Sequence, residues 1–171
     1  MRTTVGLWLL GFVAVALQRS LVPQLSIGGV TADLVVVSVI AVAVALGGIS
    51  AAWYALGVGL AFDLLSLRPA GVGTISLCVV ALLVLWVRPS LRGIGIWIVP
   101  VVGLLGSLLS GILYLVGLAL VGQEAFFSID NLTTLAWRSL YDGVLTLPVL
   151  LVVLAVLGVS DRRLPLGSKP L

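Results

Sequence analysis

The chain has 171 residues, of which 61% are hydrophobic and only 9% are charged, and its formal net charge is +3. A soluble domain has about 45–50% apolar and about 25% charged residues, so this chain has too few charges to cover a water-facing surface. The only cysteine is Cys78, which excludes an internal disulfide and a cysteine-rich metal site. Most of the basic residues lie in short loops and the tail and form no basic face, which argues against nucleic-acid binding.

Apolar runs of membrane-spanning length predict an all-α integral membrane protein with six transmembrane helices in a single domain, residues 1–171. The predicted helices cover residues 5–22, 33–46, 49–67, 72–87, 94–121 and 137–159. The first of them follows Arg2 and contains Ala14-Val15-Ala16, a pattern that is also typical of secretory signals. We interpret this segment as the first membrane helix.

Two predicted helices differ in length from a bilayer core. The second is roughly 20 Å long, so it either extends into residues 27–32 or is partly buried in protein. The fifth is roughly 42 Å long, so it is either tilted or begins with an interfacial turn around Trp97 and Pro100. We expect residues 123–136 to form a loop along the outer surface.

Basic residues in the loops predict the orientation. An even number of spans places both termini on one side of the membrane. The basic residues on that side are Arg2, Arg88, Arg92, Arg162, Arg163 and Lys169, and those on the other side are Arg19, Arg68 and Arg138. Because cytoplasmic loops carry an excess of Lys and Arg, we expect both termini to be cytoplasmic.

Most acidic residues fall at the predicted outer face. They are Asp33 at the start of the second helix, Asp63 about one turn from the end of the third, Asp142 about one turn into the sixth, and Glu124 and Asp130 in the outer loop. An ionisable group at membrane depth costs about 2.5–3.5 kcal/mol unless it is paired or hydrated. We therefore expect the three intramembrane acids to pair with the nearby arginines.

Helical spacing makes this expectation more specific. Asp63 lies on the small-residue face of its helix, which also contains Gly59, Ala55 and Ala52. Small residues let membrane helices pack closely, so we expect Asp63 to be buried between helices and bonded to a polar group or a backbone amide. Asp142 follows Arg138 by four residues, which predicts an ion pair. We favour a structural role for these pairs over ligand binding.

One stripe of small and polar residues runs along the fifth predicted helix. It consists of Gly103, Ser107, Ser110, Tyr114 and Gly117. A stripe of this kind is typical of a helix–helix contact. It could receive the helix of a partner protein, or it could pack internally against the third or sixth helix, and the sequence favours neither. A pore lining is less favoured because the stripe contains no charge.

The sequence contains no recognisable catalytic machinery. It has no histidine, no pair of acids at metal-ligand spacing and no glycine-rich phosphate loop followed by lysine. We therefore expect neither an enzyme nor a bound cofactor or metal.

The segment "ADLVVVSVIAVAVALGGISAAWYALGVGLAFDLLSLRPAGVGTISL", residues 32–77, resembles the bacterial rod-shape-determining protein MreD family. That family has Pro-Asp-Leu at the start of a helix, then a helix that ends in Gly-Phe-x-x-Gly-Leu-x-x-Asp-Leu, then a Pro-x-Gly turn. Here Asp33-Leu34 matches the first motif, although Ala32 replaces its proline. Residues 59–64 match the Gly-Leu-x-x-Asp-Leu part of the second motif, with Gly59 and Asp63 at its fixed positions. Pro69-Ala70-Gly71 matches the turn, which Arg68 precedes.

The resemblance implies a non-enzymatic subunit of the bacterial cell-elongation machinery in the plasma membrane. Its expected partner is MreC, which has one membrane helix and a periplasmic domain. The actin-like MreB and cell-wall synthases belong to the same expected assembly. The implied fold is a bundle like that of the substrate-binding subunits of energy-coupling-factor transporters.

That shared fold leaves an alternative of a different class, a substrate-binding subunit of a vitamin transporter. Such a subunit needs an outer pocket, which Trp137, Arg138, Tyr141 and Asp142 could form. Against this alternative, the first helix lacks a regular small-xxx-small repeat for docking onto a transporter scaffold.

Overall fold

The computed structural model describes residues 2–20, 24, 26, 29–66, 71–91, 94–122 and 129–158. Within these ranges the chain forms six α-helices and no β-strand. The helices are α1 (Arg2–Ser20), α2 (Leu34–Ala45), α3 (Gly48–Leu65), α4 (Val72–Val87), α5 (Ile98–Leu120) and α6 (Ile129–Leu157), and a 3₁₀ helix (Arg88–Leu91) follows α4. The predicted all-α fold is therefore confirmed.

Four helices are long and apolar enough to cross a membrane, namely α3, α4 with its following 3₁₀ helix, α5 and α6. The apolar part of α1, Val5–Ser20, and α2 are shorter. The chain is thus a multi-pass membrane protein, and four of the six predicted spanning helices have the length and composition needed to cross a membrane.

The short helix α2 lies in the centre of the bundle. Every residue from Val35 to Ala45 is buried, and α2 packs against each of the other five helices. A helix that is apolar on all sides must be buried, and α2 contains only Val, Ile, Ala, Leu and Ser. Its 12 residues reach about 18 Å. Of the two sequence-based explanations for its length, burial in protein is confirmed.

The C-terminal end of α2 is held by an arginine from a distant part of the chain. Arg88, at the end of α4, donates from Nε to the carbonyl oxygen of Val44 at 3.0 Å and from Nη2 to that of Ala45 at 3.2 Å. Gly47 follows with a φ of 67°, and a Cβ there would overlap the Arg88 guanidinium. A cation at a helix C-terminus also interacts favourably with the helix dipole.

Helices α3 and α4 cross at a glycine. A Cβ built on Gly59 would lie 2.9 Å from the Cα of Thr74, which is closer than side chains pack. The buried residues Ala55 and Gly59 share this face of α3 with Asp63. The predicted small-residue face of the third helix is therefore a real contact surface.

The last two helices differ from their predicted limits. A turn with Gly95 at a φ of 92° precedes α5, which confirms the expected turn near Trp97 and shortens the helix to 23 residues. In contrast, α6 begins at Ile129, so the predicted loop 123–136 is wrong from residue 129 onward. Hydropathy falls in this stretch because four of its eight residues, 130, 131, 133 and 134, are polar, but the backbone remains helical. Residues 123–128 lie outside the described chain.

We predict that Gly59→Val destabilises the protein, because its side chain would meet the backbone of α4. Overpacking of this kind costs about 1–3 kcal/mol, which denaturant unfolding in detergent can measure. The matched control is Leu60→Val on the next position, where the side chain is 43% exposed and the free energy of unfolding should change little. Equal stability of both variants would contradict the tight crossing.

Candidate functional site

Asp63 joins the end of α3 to the start of α4. Its Oδ2 atom accepts hydrogen bonds from the backbone amides of Gly71 at 3.0 Å and Thr74 at 2.9 Å, and from the Thr74 hydroxyl at 2.8 Å. The side chain is 1% exposed. A carboxylate in this position satisfies amides that a helix N-terminus leaves without partners. The prediction of a buried Asp63 bonded to backbone amides is confirmed.

The predicted arginine partner of Asp63 is absent from the part of the chain that the structure describes. Arg19 donates instead to the carbonyl oxygen of Leu65 at the end of α3. Arg68 and Pro69 lie outside the described residues, so the expectation for them stays a prediction. Gly71 has a φ of 101°, a backbone conformation that glycine adopts without strain.

A second group of charged residues surrounds the start of α2. Asp33 caps this helix, because its Oδ1 atom accepts from the amides of Val35 at 3.1 Å and Val36 at 3.2 Å. Its own backbone N–H donates to Asp142 Oδ1 at 2.7 Å, and its Oδ2 atom accepts from Arg138. The first amides of α2 therefore all point at acceptors.

Asp142 is the residue on which this group converges. It is fully buried, and its Oδ2 atom accepts a hydrogen bond from Ser107 of α5. The Nε atom of Arg138 lies 4.0 Å from the same oxygen. The predicted Arg138–Asp142 pair is thus confirmed, and the structure extends it to Asp33 and Ser107.

The position predicted for Asp142 along its helix is wrong. It lies not one turn but 13 residues from the first residue of α6, Ile129, which is about 20 Å along the helix axis. The error follows directly from the missed start of α6. Because the N-terminus of α2 contacts Asp142, the short helix begins beside the middle of α6.

The stripe on α5 is an internal contact surface over most of its length. Gly103 packs against Thr146 of α6 with no room for a Cβ, and Gly117 packs in the same way against Val72 of α4. Ser107 bonds to Asp142, and Ser110 is buried. The alternative that this stripe receives a partner helix is therefore wrong, because the stripe is already occupied by the chain's own helices.

A polar cavity of about 50 Å³ lies between the two charged groups. The polar side chains that line it are Asp33, Asp63, Ser76, Ser107, Ser110, Tyr114 and Arg138. A single water needs about 10–15 Å³ of such space, so the cavity has room for about four waters. It connects the caps of α2 and α4 and is the candidate site of the molecule.

The pocket expected for a vitamin is not formed by the predicted residues. The side chain of Trp137 is 58% exposed and points away from the bundle, whereas Arg138 and Asp142 face the interior of the bundle. Tyr141 is half-buried and does not line the cavity. The cavity is also much smaller than the roughly 300–1,000 Å³ of typical ligand pockets.

Several residues of the site were not identified from the sequence. Gln18 of α1 accepts from the Leu34 amide at 2.7 Å and donates to the Ala32 carbonyl at 3.0 Å. Thr74 bonds to Asp63, and Arg88 caps the other end of α2. A usable signal did exist, since Gln18 is a strongly polar residue near the end of an apolar run.

Within the described residues, no group of three His, Cys, Asp or Glu side chains is placed to hold a metal ion. No family model, curated protein or solved structure matches the chain.

We predict that Asp63→Ala lowers the free energy of unfolding by about 1–3 kcal/mol, because it leaves buried donors of Gly71 and Thr74 without an acceptor. Asp63→Asn should lose less than half as much, since its amide oxygen can still cap α4. Denaturant unfolding measures both changes. Leu64→Ala, on a side chain that is 64% exposed, is the control. If Leu64→Ala lowers the free energy of unfolding as much as Asp63→Ala does, the capping role is contradicted.

We predict that replacing Ser107 and Ser110 together by leucine destabilises the subunit itself, because both side chains lie in the packed interior. The variant should aggregate or lose its monodisperse peak in size-exclusion chromatography. The matched control is Val101→Leu with Val116→Leu, which adds similar bulk on the exposed face of the same helix. A stable, monodisperse double-serine variant would show that the stripe is not an internal contact.

Proposed function

We propose that this chain is a non-enzymatic scaffold subunit of the bacterial cell-elongation machinery, related to the MreD family. In this proposal it lies in the bacterial plasma membrane with both termini in the cytoplasm. Its direct partner is the single-span membrane protein MreC, and MreB and the cell-wall synthases join the same assembly. The lipid bilayer covers the remaining apolar surface.

The observation that carries the proposal is the placement of the residues that resemble the family. Asp33 caps α2, Asp63 caps α4, Gly59 lies where α3 and α4 cross, and Gly71 has a positive φ. Each of these positions therefore constrains the residue type that the fold accepts. A resemblance built on such positions supports a shared fold more strongly than one built on apolar residues that many membrane helices contain.

The site itself favours a structural function over a catalytic one. The carboxylates of Asp33, Asp63 and Asp142 are used as acceptors for backbone amides, serine and arginine. Such groups hold helices together, and a group fixed in this way is poorly suited to exchange protons with a substrate. This arrangement supports a scaffold, which needs a stable surface for its partners.

The alternative, a substrate-binding transporter subunit, is supported by one observation: a polar cavity does lie between the helices. Its volume of about 50 Å³ counts against a vitamin-sized ligand. A small molecule that remains bound to the chain through purification and can be identified by mass spectrometry would favour the transporter.

We predict that the chain forms a stable complex with the MreC protein of the same organism when the two are co-expressed. A tagged chain should retain MreC through affinity and size-exclusion chromatography, because packing between membrane helices survives mild detergent. MreC without its membrane helix is the control and should be retained far less. Depletion of the chain in cells should also convert rods to spheres.

The proposal would be overturned if MreC elutes separately both in detergent and in lipid nanodiscs. Cells that keep their rod shape after depletion would contradict the proposed role in elongation independently of the binding result.

A further inference from the structure

The polar cavity contains two oxygen atoms that the fold does not use. Ser110 is only 6% exposed and lines the cavity, yet its hydroxyl forms no hydrogen bond with any described residue. Asp63 accepts its three hydrogen bonds at Oδ2, and Oδ1 accepts none within the described chain. Oδ1 lies against Gly73, where the absence of a side chain leaves it open to the cavity.

A buried hydroxyl and a carboxylate oxygen without partners are costly in an apolar environment. Such groups in a cavity with room for small occupants indicate that something polar fills it. A water molecule could bond to the Ser110 hydroxyl, but the charges around the cavity indicate that it also holds a positively charged occupant.

The charges around the cavity do not balance. Asp33 and Asp63 line the cavity, and Asp142 lies beside it in contact with the Asp33 amide. Together they contribute three negative charges, and both oxygens of Asp142 accept hydrogen bonds, which suits the ionised form. Arg138 contributes one positive charge. The N-termini of α2 and α4, capped by Asp33 and Asp63, each contribute about half a positive charge. Among the described residues at this site, about one negative charge is left uncompensated.

The size and chemistry of the cavity select the compensating ion. Carboxylate and hydroxyl oxygens suit hard cations. A divalent ion would need a denser set of charged ligands, and no group of three acidic, histidine or cysteine side chains is present in the described part of the chain. A volume of about 50 Å³ accommodates a small monovalent ion with a few waters and excludes an organic cation.

We propose that the cavity binds one sodium-sized monovalent cation, with the carboxylate of Asp63 and the hydroxyl of Ser110 among its ligands. The ion lies between the caps of α2 and α4 and holds the two helix N-termini in one arrangement. This site is independent of the scaffold function, since it depends only on the interior of the bundle.

The test is thermal unfolding of the purified full chain in lipid nanodiscs, with sodium chloride replaced stepwise by choline chloride at constant ionic strength and pH. Because an ion that binds only the folded state stabilises it by mass action, the unfolding midpoint should rise with sodium and not with choline. Isothermal titration calorimetry with sodium chloride should give the same sodium affinity as the dependence of the unfolding midpoint on sodium concentration.

Two variants assign the response to the cavity. Ser110→Ala removes a hydroxyl that bonds to no described residue, so the protein should fold normally while its sodium affinity falls about tenfold. Asp63→Asn keeps an acceptor for the α4 amides but removes the charge, so the sodium response should disappear. Ser66→Ala is the matched control, because the Ser66 hydroxyl is also buried without a partner but lies outside the cavity.

Three results would overturn the proposal. A midpoint that is the same in sodium and choline would show a cavity that holds water only. A midpoint that changes between pH 6 and pH 8 but not with sodium would assign the missing charge to a proton. A sodium affinity that is unchanged in Ser110→Ala and Asp63→Asn would place the ion elsewhere.

Discussion

The constraint on which this structure depends is the need to satisfy both ends of a short helix inside an apolar bundle. Helix α2 reaches about 18 Å, so its ends cannot rely on bulk water at both membrane surfaces. In a bilayer an unsatisfied backbone group costs several kcal/mol. The chain therefore supplies polar side chains at both ends of α2.

Besides its own cap Asp33, the polar groups that hold α2 come from three other helical elements. Gln18 of α1 and Asp142 of α6 act at its N-terminus, and Arg88, the first residue of the 3₁₀ helix, acts at its C-terminus. Each of these three contacts fixes the position of one element relative to α2. In lipid, apolar helices have no hydrophobic driving force to associate with one another. The polar contacts with α2 explain how this largely apolar bundle acquires one defined packing arrangement.

The sequence predicted local features well and long-range partners poorly. The burial of Asp63 was predictable because a charge on a small-residue face can only point at protein, and the Arg138–Asp142 pair was predictable from its spacing. Ser107 as the partner of Asp142 and Arg88 as the cap of α2 were not, since they lie 35 and more than 40 residues from their partners. From the sequence, Arg88 indicates only the orientation in the membrane. The start of α6 was missed because hydropathy marks apolar surface, whereas the helix continues through polar residues.

Asp142 holds the N-terminus of α2 in place by accepting the hydrogen bond of the Asp33 amide. Amide hydrogen exchange of the chain in nanodiscs measures the effect of this contact. The amides of α2 should be among the slowest to exchange in the wild type, and Asp142→Ala should accelerate exchange at the start of α2 by about 5–150-fold, the factor that about 1–3 kcal/mol represents. The end of α2 beside Arg88 should change far less. Fast amide exchange throughout α2 in the wild type, or unchanged exchange at the start of α2 in Asp142→Ala, would contradict this role of Asp142.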